Sequence, residues 1–413
     1  MHYLTEQETK AKETKEGRIE FNFPLLMVRT KIFGGLFDKF GSFRVSRYLS
    51  WIALIVVPIV AAIGLYLISS SLVTMLWTPV VREIQRDLGP ASLILLPGIN
   101  PILPFLYGWL GFVCTIIIHE GAHGIVARNR GLNVKSSGLV FFLIIPLGAF
   151  VDVDEEQITK AKPKDSLRVM AAGVGGNIAV AVACILAVLV IVNGLTPIVN
   201  GVYISKIETG MPAEVAGLSE GDVFVSIDGV FMDRLETLLD FFENKNPGEI
   251  VQVTLVRGEK WENQFSTSIT LTESNDGNAK MGVELRNLAT QERLELYKTV
   301  TPETLSIYMV PPSLAPGLVP FSDSFASFYT HDLGNDWSVW ANVFFYLWFV
   351  NVNVAVFNAL PIYPLDGGRM FDISLKSVLG KRMNEKTISK ITYAVTLSLV
   401  GILLMIAVIP FIF

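Results

Sequence analysis

Charge is scarce in this chain of 413 residues. Only 17% of them are Asp, Glu, Lys or Arg, against about a quarter in a typical soluble domain. With 51% hydrophobic residues, that shortage argues against an ordinary soluble globule and against a disordered chain. A basic balance is also missing. The net charge is −5, which leaves no basic excess for nucleic acid to bind. Cysteine is nearly absent: Cys114 and Cys184 are the only two, each inside an apolar run. Two such residues build neither a disulfide framework nor a zinc ribbon, so they read as packing residues. Histidine occurs four times, which makes the position of each one informative.

What the chain has instead is long apolar runs. A membrane helix needs about 20 such residues. Trp51 to Ser70 reads as a first span, about Phe105 to Arg128 as a second and Ser166 to Asn193 as a third. Asp336 to Leu365 encloses a fourth, and Ile391 to Phe413 a fifth. Residues 88–104 are uncharged but broken by Pro90, Pro97, Gly98, Pro101 and Pro104. Gly138 to Val151 is too short for a span and holds Pro146 and Gly148. It fits a re-entrant or interfacial segment, whose irregular backbone must be buried in protein or line a wet cavity.

Lys and Arg set the orientation. Residues 1–47 carry nine, the 128–168 connection seven and the 366–390 connection six, whereas residues 71–104 carry two. Five spans with a cytoplasmic N-terminus put the basic segments on one side and residues 194–335 on the other. Residues 200–290 change character. They alternate polar and apolar positions and are punctuated by Asp228-Gly229 and Asn246-Pro247-Gly248, the pattern of a small strand-rich domain.

The second span ends in His119-Glu120-Gly121-Ala122-His123. Ionisable residues inside a membrane helix are expensive, so a functional reading is the default. On a helix, i and i+4 share a face, and H-E-x-x-H lets both imidazoles hold one Zn²⁺ with Glu120 as general base. His119 lies eleven residues before Arg130, about 16 Å below the helix end at 1.5 Å per residue. A catalytic zinc takes three protein ligands and keeps one open position. Asp366 is the candidate third ligand. It follows 29 uncharged residues and reaches the same side of the membrane from the other direction; the bland alternative is a helix cap or a partner of Arg369. Asn351, Asn353 and Asn358 lie in the fourth span, and Asn177 follows Gly173, Gly175 and Gly176 in the third. Buried asparagines either bond neighbouring backbone or position substrate and stabilise an oxyanion. Asn177 and Asn358 are the candidates for the second role.

HEGAH in one membrane helix and Asn358-Ala-Leu-Pro-Ile-Tyr-Pro-Leu-Asp-Gly-Gly in a later one resemble the site-2 protease family of intramembrane zinc metalloproteases. The likeness covers about residues 103–193 and 336–380. It implies one Zn²⁺ per chain, held by His119, His123 and Asp366, with Glu120 as the catalytic glutamate. It also implies a membrane-inserted β-hairpin at Gly138–Val151 that engages substrate as an added strand. Residues 196–288 resemble a circularly permuted PDZ domain, on Gly201-Val202-Tyr203-Ile204, Pro212-Ala-Glu-Val-Ala-Gly-Leu218, Gly221-Asp222 and Ile227-Asp-Gly229. That likeness makes Gly201, Val202, Tyr203 and Ile204 the expected loop for a peptide C-terminal carboxylate.

The expected architecture is a multi-span α-helical membrane protein with a short re-entrant β-hairpin and an inserted extracytoplasmic PDZ-like α+β domain. Its expected parts are a cytoplasmic region 1–47, a first helix 48–81 and a membrane core 82–193. A PDZ-like domain at 194–290, a linker at 291–335, a helix with the LDGG motif at 336–380 and a C-terminal helix at 387–413 follow. The expected activity is zinc-dependent endopeptidase cleavage in or near transmembrane segments of membrane proteins, in regulated intramembrane proteolysis. The expected partners are a membrane-spanning protein substrate and the lipid bilayer, with a peptide C-terminus at the PDZ-like domain. The expected place is a prokaryotic cell membrane, with the N-terminus and the active-site opening toward the cytoplasm. A zinc transporter would show ligands along a pathway and repeated halves, and neither is present. A silent scaffold would not need intact HEGAH and LDGG. The topology predicts that cysteines introduced at Ser166 and Ser226 react with impermeant reagent from opposite sides of the membrane; labelling from one side would contradict it.

Overall fold

The computed structural model describes residues 19–31, 33–143, 145–257, 263–274, 276–299 and 301–413. The charged segment 5–20, expected to be a solvated tail, falls almost wholly outside them. The chain divides into two compact units, residues 1–185 with 343–413, and residues 186–342.

The first unit opens with strands β1 (Ile19–Asn22) and β2 (Leu25–Thr30) and helix α1 (Gly34–Gly41). Helices α2 (Arg44–Trp77) and α3 (Pro79–Leu88) follow, then α4 (Phe105–Asn129). Strands β3 (Val134–Phe142) and β4 (Ile145–Val153) lead to α5 (Glu155–Lys160) and α6 (Pro163–Asn193). The chain returns to this unit in α11 (Trp337–Ala359), then α12 (Asp366–Leu379) and α13 (Glu385–Ile412).

Helices α2, α4, α6, α11 and α13 are long and apolar enough to cross a membrane, the five spans expected. In lipid every backbone N–H and C=O must be satisfied within the protein, so runs this apolar fold as helices. Residues 88–104 do not span. Asn100 is buried there and secures the broken backbone: its Nδ2 donates to Ser92 O and Ile94 O, and its Oδ1 accepts from Ile102 N–H. The spans approach closely through small residues. A Cβ on Gly175 of α6 would lie 2.4 Å from Ala53 Cβ on α2, and one on Gly176 would lie 3.0 Å from Ala122 Cβ on α4. Arg168 of α6 is buried but fully engaged. Its Nε and Nη2 donate to Ser50 Oγ, Nη2 also to Arg47 O, and the guanidinium stacks over Trp51.

The segment Gly138–Val151 is a β-hairpin, as expected, but a longer sheet contains it. The four strands run antiparallel in the order β1-β2-β3-β4. From sequence, Phe21 to Phe43 reads as either a surface-lying segment or a small cap, and neither reading includes this pairing. Gly138 shows why it forms: a Cβ there would sit 2.1 Å from Val28 O, so only glycine lets β2 pass at that point. Ser166, proposed above for labelling, is 3% exposed and donates from Oγ to Ile158 O. The exposed Lys162 replaces it in that experiment.

Besides the short elements β5 (Thr196–Pro197), α7 (Pro212–Val215), β11 (Thr272–Glu273) and β12 (Ala279–Lys280), the second unit contains β6 (Val202–Ile207), β7 (Val223–Ile227), β9 (Ile250–Arg257), β10 (Asn263–Thr270) and β13 (Val283–Asn287). They form a sheet in the order β10-β9-β7-β6-β13, with β8 (Val230–Phe231) beside β7. Between β7 and β8, Asp228 and Gly229 both take positive φ, 47° and 78°, the tight hairpin turn that Asp-Gly favours. Val251, Val253 and Leu255 alternate inward from β9 and pack with Leu238 of helix α8 (Leu235–Glu243). This is the small α+β domain expected. One expectation fails. Val202 and Ile204 are 0% exposed, and β6 pairs with β7 on one side and β13 on the other. Gly201–Ile204 therefore has no free edge for an incoming peptide; the edge strands are β10 and β13. Residues 291–335, expected as a linker, form α9 (Thr290–Lys298) and α10 (Pro302–Tyr308) and bury Tyr297, Tyr308, Phe321, Phe325 and Tyr329. Burial pushes the Tyr329 phenol up to about 12, and its O–H donates to Thr290 O at 2.9 Å.

Candidate metal centre

Helix α4 places His119 and His123 one turn apart on the same face. Both are buried, with ring centroids 4.9 Å apart. Asp366 arrives from elsewhere in the chain. After α11 ends at Ala359, Pro361 and Pro364 break the helix and the chain reverses into α12, whose first residue is Asp366. The reversal is tight. A Cβ on Gly367 would lie 2.1 Å from Ala359 O, and one on Gly368 would lie 2.3 Å from the carbonyl carbon of Ile362. The two glycines of LDGG thus let the first turn of α12 lie against the end of α11, which carries the carboxylate to the histidines.

The result is a compact donor set. Asp366 Oδ2 is 3.0 Å from His119 Nε2 and 3.1 Å from His123 Nε2, and one ligand atom from each residue lies within 4.8 Å of the others. Two imidazoles and a carboxylate are a zinc donor set that leaves a coordination position open. The outer nitrogens are fixed as a metal ligand requires. His123 Nδ1 lies 2.7 Å from Val169 O, so it carries the proton and leaves the Nε2 lone pair free. His119 Nδ1 lies 3.1 Å from the Asn177 amide. Asn177 Oδ1 is buried with no hydrogen-bond partner among the described residues. A half-turn of that amide offers the oxygen to an Nδ1–H. Gly173 supplies room. Its Cβ would fall 2.5 Å from His123 Nε2 and 2.6 Å from His119 Nε2. These residues fit a zinc ion.

Glu120 faces the same pocket, a cavity of about 340 Å³ lined by the two histidines, Asp366, Val151, Asn358 and Arg369 among others. One Glu120 oxygen, Oε2, accepts from the Val151 N–H at 3.0 Å. Val151 belongs to β4, which ends the sheet. The edge strand and the glutamate thus meet at one hydrogen bond.

The asparagines divide. Asn358 lines the pocket, where substrate positioning is feasible. Asn177 does not: it is fully buried and turned to His119, so its contact is with a histidine instead of an oxyanion. Asn351 and Asn353 donate to Leu347 O and Phe349 O in their own helix, which is the bland alternative. Sequence reasoning missed Val169 O and Val151 N–H, because backbone groups leave no side-chain signal. From sequence, Gly173 stands only as one of three glycines ahead of Asn177. The Gly173-x-Gly175-Gly176 run preceding Asn177 was the available clue.

Buried histidines, a carboxylate and a neighbouring glutamate inside a multi-pass membrane protein define a membrane metalloprotease. The chain belongs to Peptidase family M50, which it matches over residues 107–403. It is similar to an uncharacterised protein of Methanocaldococcus jannaschii, 23% identical over 397 residues that cover 92% of this chain and 89% of that protein. It is also similar to the chloroplastic membrane metalloprotease ARASP of Arabidopsis thaliana, 26% identical over 316 residues, 64% of this chain and 69% of that one. The PDZ domain of an SdrC-like protein from Listeria innocua is 27% identical and covers 21% of this chain and 96% of that domain, with a TM-score of 0.19.

The cradle at Gly173 yields a prediction. Gly173→Ala should weaken zinc retention about 10–100-fold in a chelator competition, whereas Gly401→Ala, with nothing within 4 Å of its Cβ, should retain zinc normally. Equal retention by both would show that the space at Gly173 is irrelevant to the metal.

Proposed function

We propose that this protein is an intramembrane endopeptidase that hydrolyses peptide bonds in or near transmembrane segments of other membrane proteins. His119, His123 and Asp366 hold one zinc per chain, and Glu120 is the catalytic base. The observation that carries this reading is the meeting of the HExxH face with Asp366, two motifs separated by 243 positions, inside an apolar helical unit. A bound zinc would supply Lewis acidity, lowering the pKa of a water and polarising the scissile carbonyl.

The chain's own groups do the rest. Val151 N–H holds Glu120 Oε2, leaving Oε1 to take a proton from water and pass it to the leaving amine. Val169 O and the Asn177 amide keep both imidazoles in the tautomer that presents Nε2. Asn358 and Arg369 line the cavity where the substrate backbone would lie. A helical segment must unwind before its carbonyls reach such a site, and the β4 edge beside Glu120 offers hydrogen bonds to an extended chain.

The Lys and Arg distribution supports an N-terminus and a pocket mouth toward the cytoplasm of a prokaryotic cell membrane. It supports an extracytoplasmic position for the 194–335 insertion. The substrate is then a spanning protein whose cleavage releases a cytoplasmic fragment, as regulated intramembrane proteolysis requires. In the second unit, an incoming peptide would add beside edge strand β13, against which α8 packs.

The test is Glu120→Gln in reconstituted full-length protein with single-span model substrates. The variant should keep its zinc and lose cleavage by at least about 10²–10⁴-fold. A variant that cuts as fast as the unaltered protein would remove Glu120 from the mechanism.

A further inference from the structure

A second cavity, of about 130 Å³, opens where α1, β2, β3 and the end of α4 meet. It shares no residue with the metal pocket. Its volume is several times the roughly 10–15 Å³ that admits one water, so a group of several atoms fits. Lys31, Arg128 and Lys135 line it, together with Thr30, Ser136 and Ser137; no acidic residue does. The cations are incompletely neutralised. Arg128 Nε lies 3.2 Å from Asp38, and Lys135 Nζ lies 3.6 Å from Asp154. Lys31 has no ion-pair partner among the described residues. Ser136 and Ser137 are buried. Ser136 Oγ accepts from Arg29 Nη1 at 3.3 Å, which leaves its own O–H to donate. Ser137 donates from Oγ to Thr30 O at 3.5 Å, so the unpaired Lys31, the partly neutralised Arg128 and Lys135, and the Ser136 O–H, with no carboxylate in the wall, are the chemistry that binds a phosphate.

The surroundings say which phosphate. The cavity lies at the end of span α4, at Asn129, whose Nδ2 also donates to Ser46 Oγ near the start of span α2. Asn129 Nδ2 donates to Gly41 O at 2.6 Å and ties α1 to that end of α4. Helix α1 turns Phe37 to the cavity and leaves Leu36 and Phe40 exposed, with Phe33 and Phe43 exposed at its two ends. Exposed apolar side chains beside a basic recess at the ends of membrane helices suit acyl chains and a headgroup together. A free phosphate would have no use for that apolar flank. We propose that this cavity binds the headgroup phosphate of an anionic phospholipid.

The experiment is native mass spectrometry of full-length protein in detergent, titrated with phosphatidylglycerol or phosphatidylcholine and challenged with inorganic phosphate. The protein should retain one phosphatidylglycerol at concentrations where phosphatidylcholine is lost, and excess inorganic phosphate should not displace it. Lys31→Gln with Lys135→Gln should weaken retention at least about tenfold, whereas Lys39→Gln, on α1 but outside the cavity, should not. Lys31→Gln alone breaks no ion pair and keeps the test open should the double variant misfold. Unchanged retention in the lysine variants, equal retention of phosphatidylcholine, or displacement by inorganic phosphate would each overturn the proposal.

Discussion

Two imidazoles and two carboxylates gathered among apolar spans would be untenable if each stood alone. A buried polar group without a partner is penalised, and a buried charge much more so. Everything around the pocket answers that constraint. Asp366 lies against both His119 and His123. Val169 O and the Asn177 amide take the outer ring nitrogens. Val151 N–H takes Glu120. The groups are arranged so that each remaining polar direction points at one shared position. Such a site is stable only when loaded or when its members bond one another, and that couples the fold to the metal.

The glycines are the second half of the same constraint. Donor atoms on two separate helices converge only if the backbones come very near. Gly367 and Gly368 admit the reversal that delivers Asp366, and Gly173 leaves the volume in front of both Nε2 atoms. Side chains at these positions would fill the space that the chemistry uses. Gly173, Gly367 and Gly368 therefore act through geometry, not through any group they carry.

The spans and the residues that meet in the pocket were legible in the sequence because their signals are strong. An uncharged apolar run longer than about 20 residues matches the thickness of a bilayer, and a histidine pair at i and i+4 within it presents two ligands on one helix face. Other features were less readable. The pairing of residues 25–30 with the hairpin depends on partners 107 to 117 positions away, and nothing local in the sequence announces it. The assignment of Gly201–Ile204 as a carboxylate loop failed because strand order, not local pattern, decides which strand lies at a sheet edge. Residues 291–335 looked like a linker because their prolines hide two short helices around Tyr297 and Tyr308. The orienting contacts at Val169 and Val151 are made by backbone atoms, which any residue supplies.

The central claim is that His119, His123 and Asp366 together bind zinc in this membrane protein. Zinc-edge X-ray absorption on the purified full-length chain tests it most directly. The account predicts a nitrogen and oxygen shell at about 2.0–2.1 Å, with the outer-shell scattering of two imidazoles and no sulfur. A sulfur shell near 2.3 Å, or a zinc environment without imidazole scattering, would contradict it.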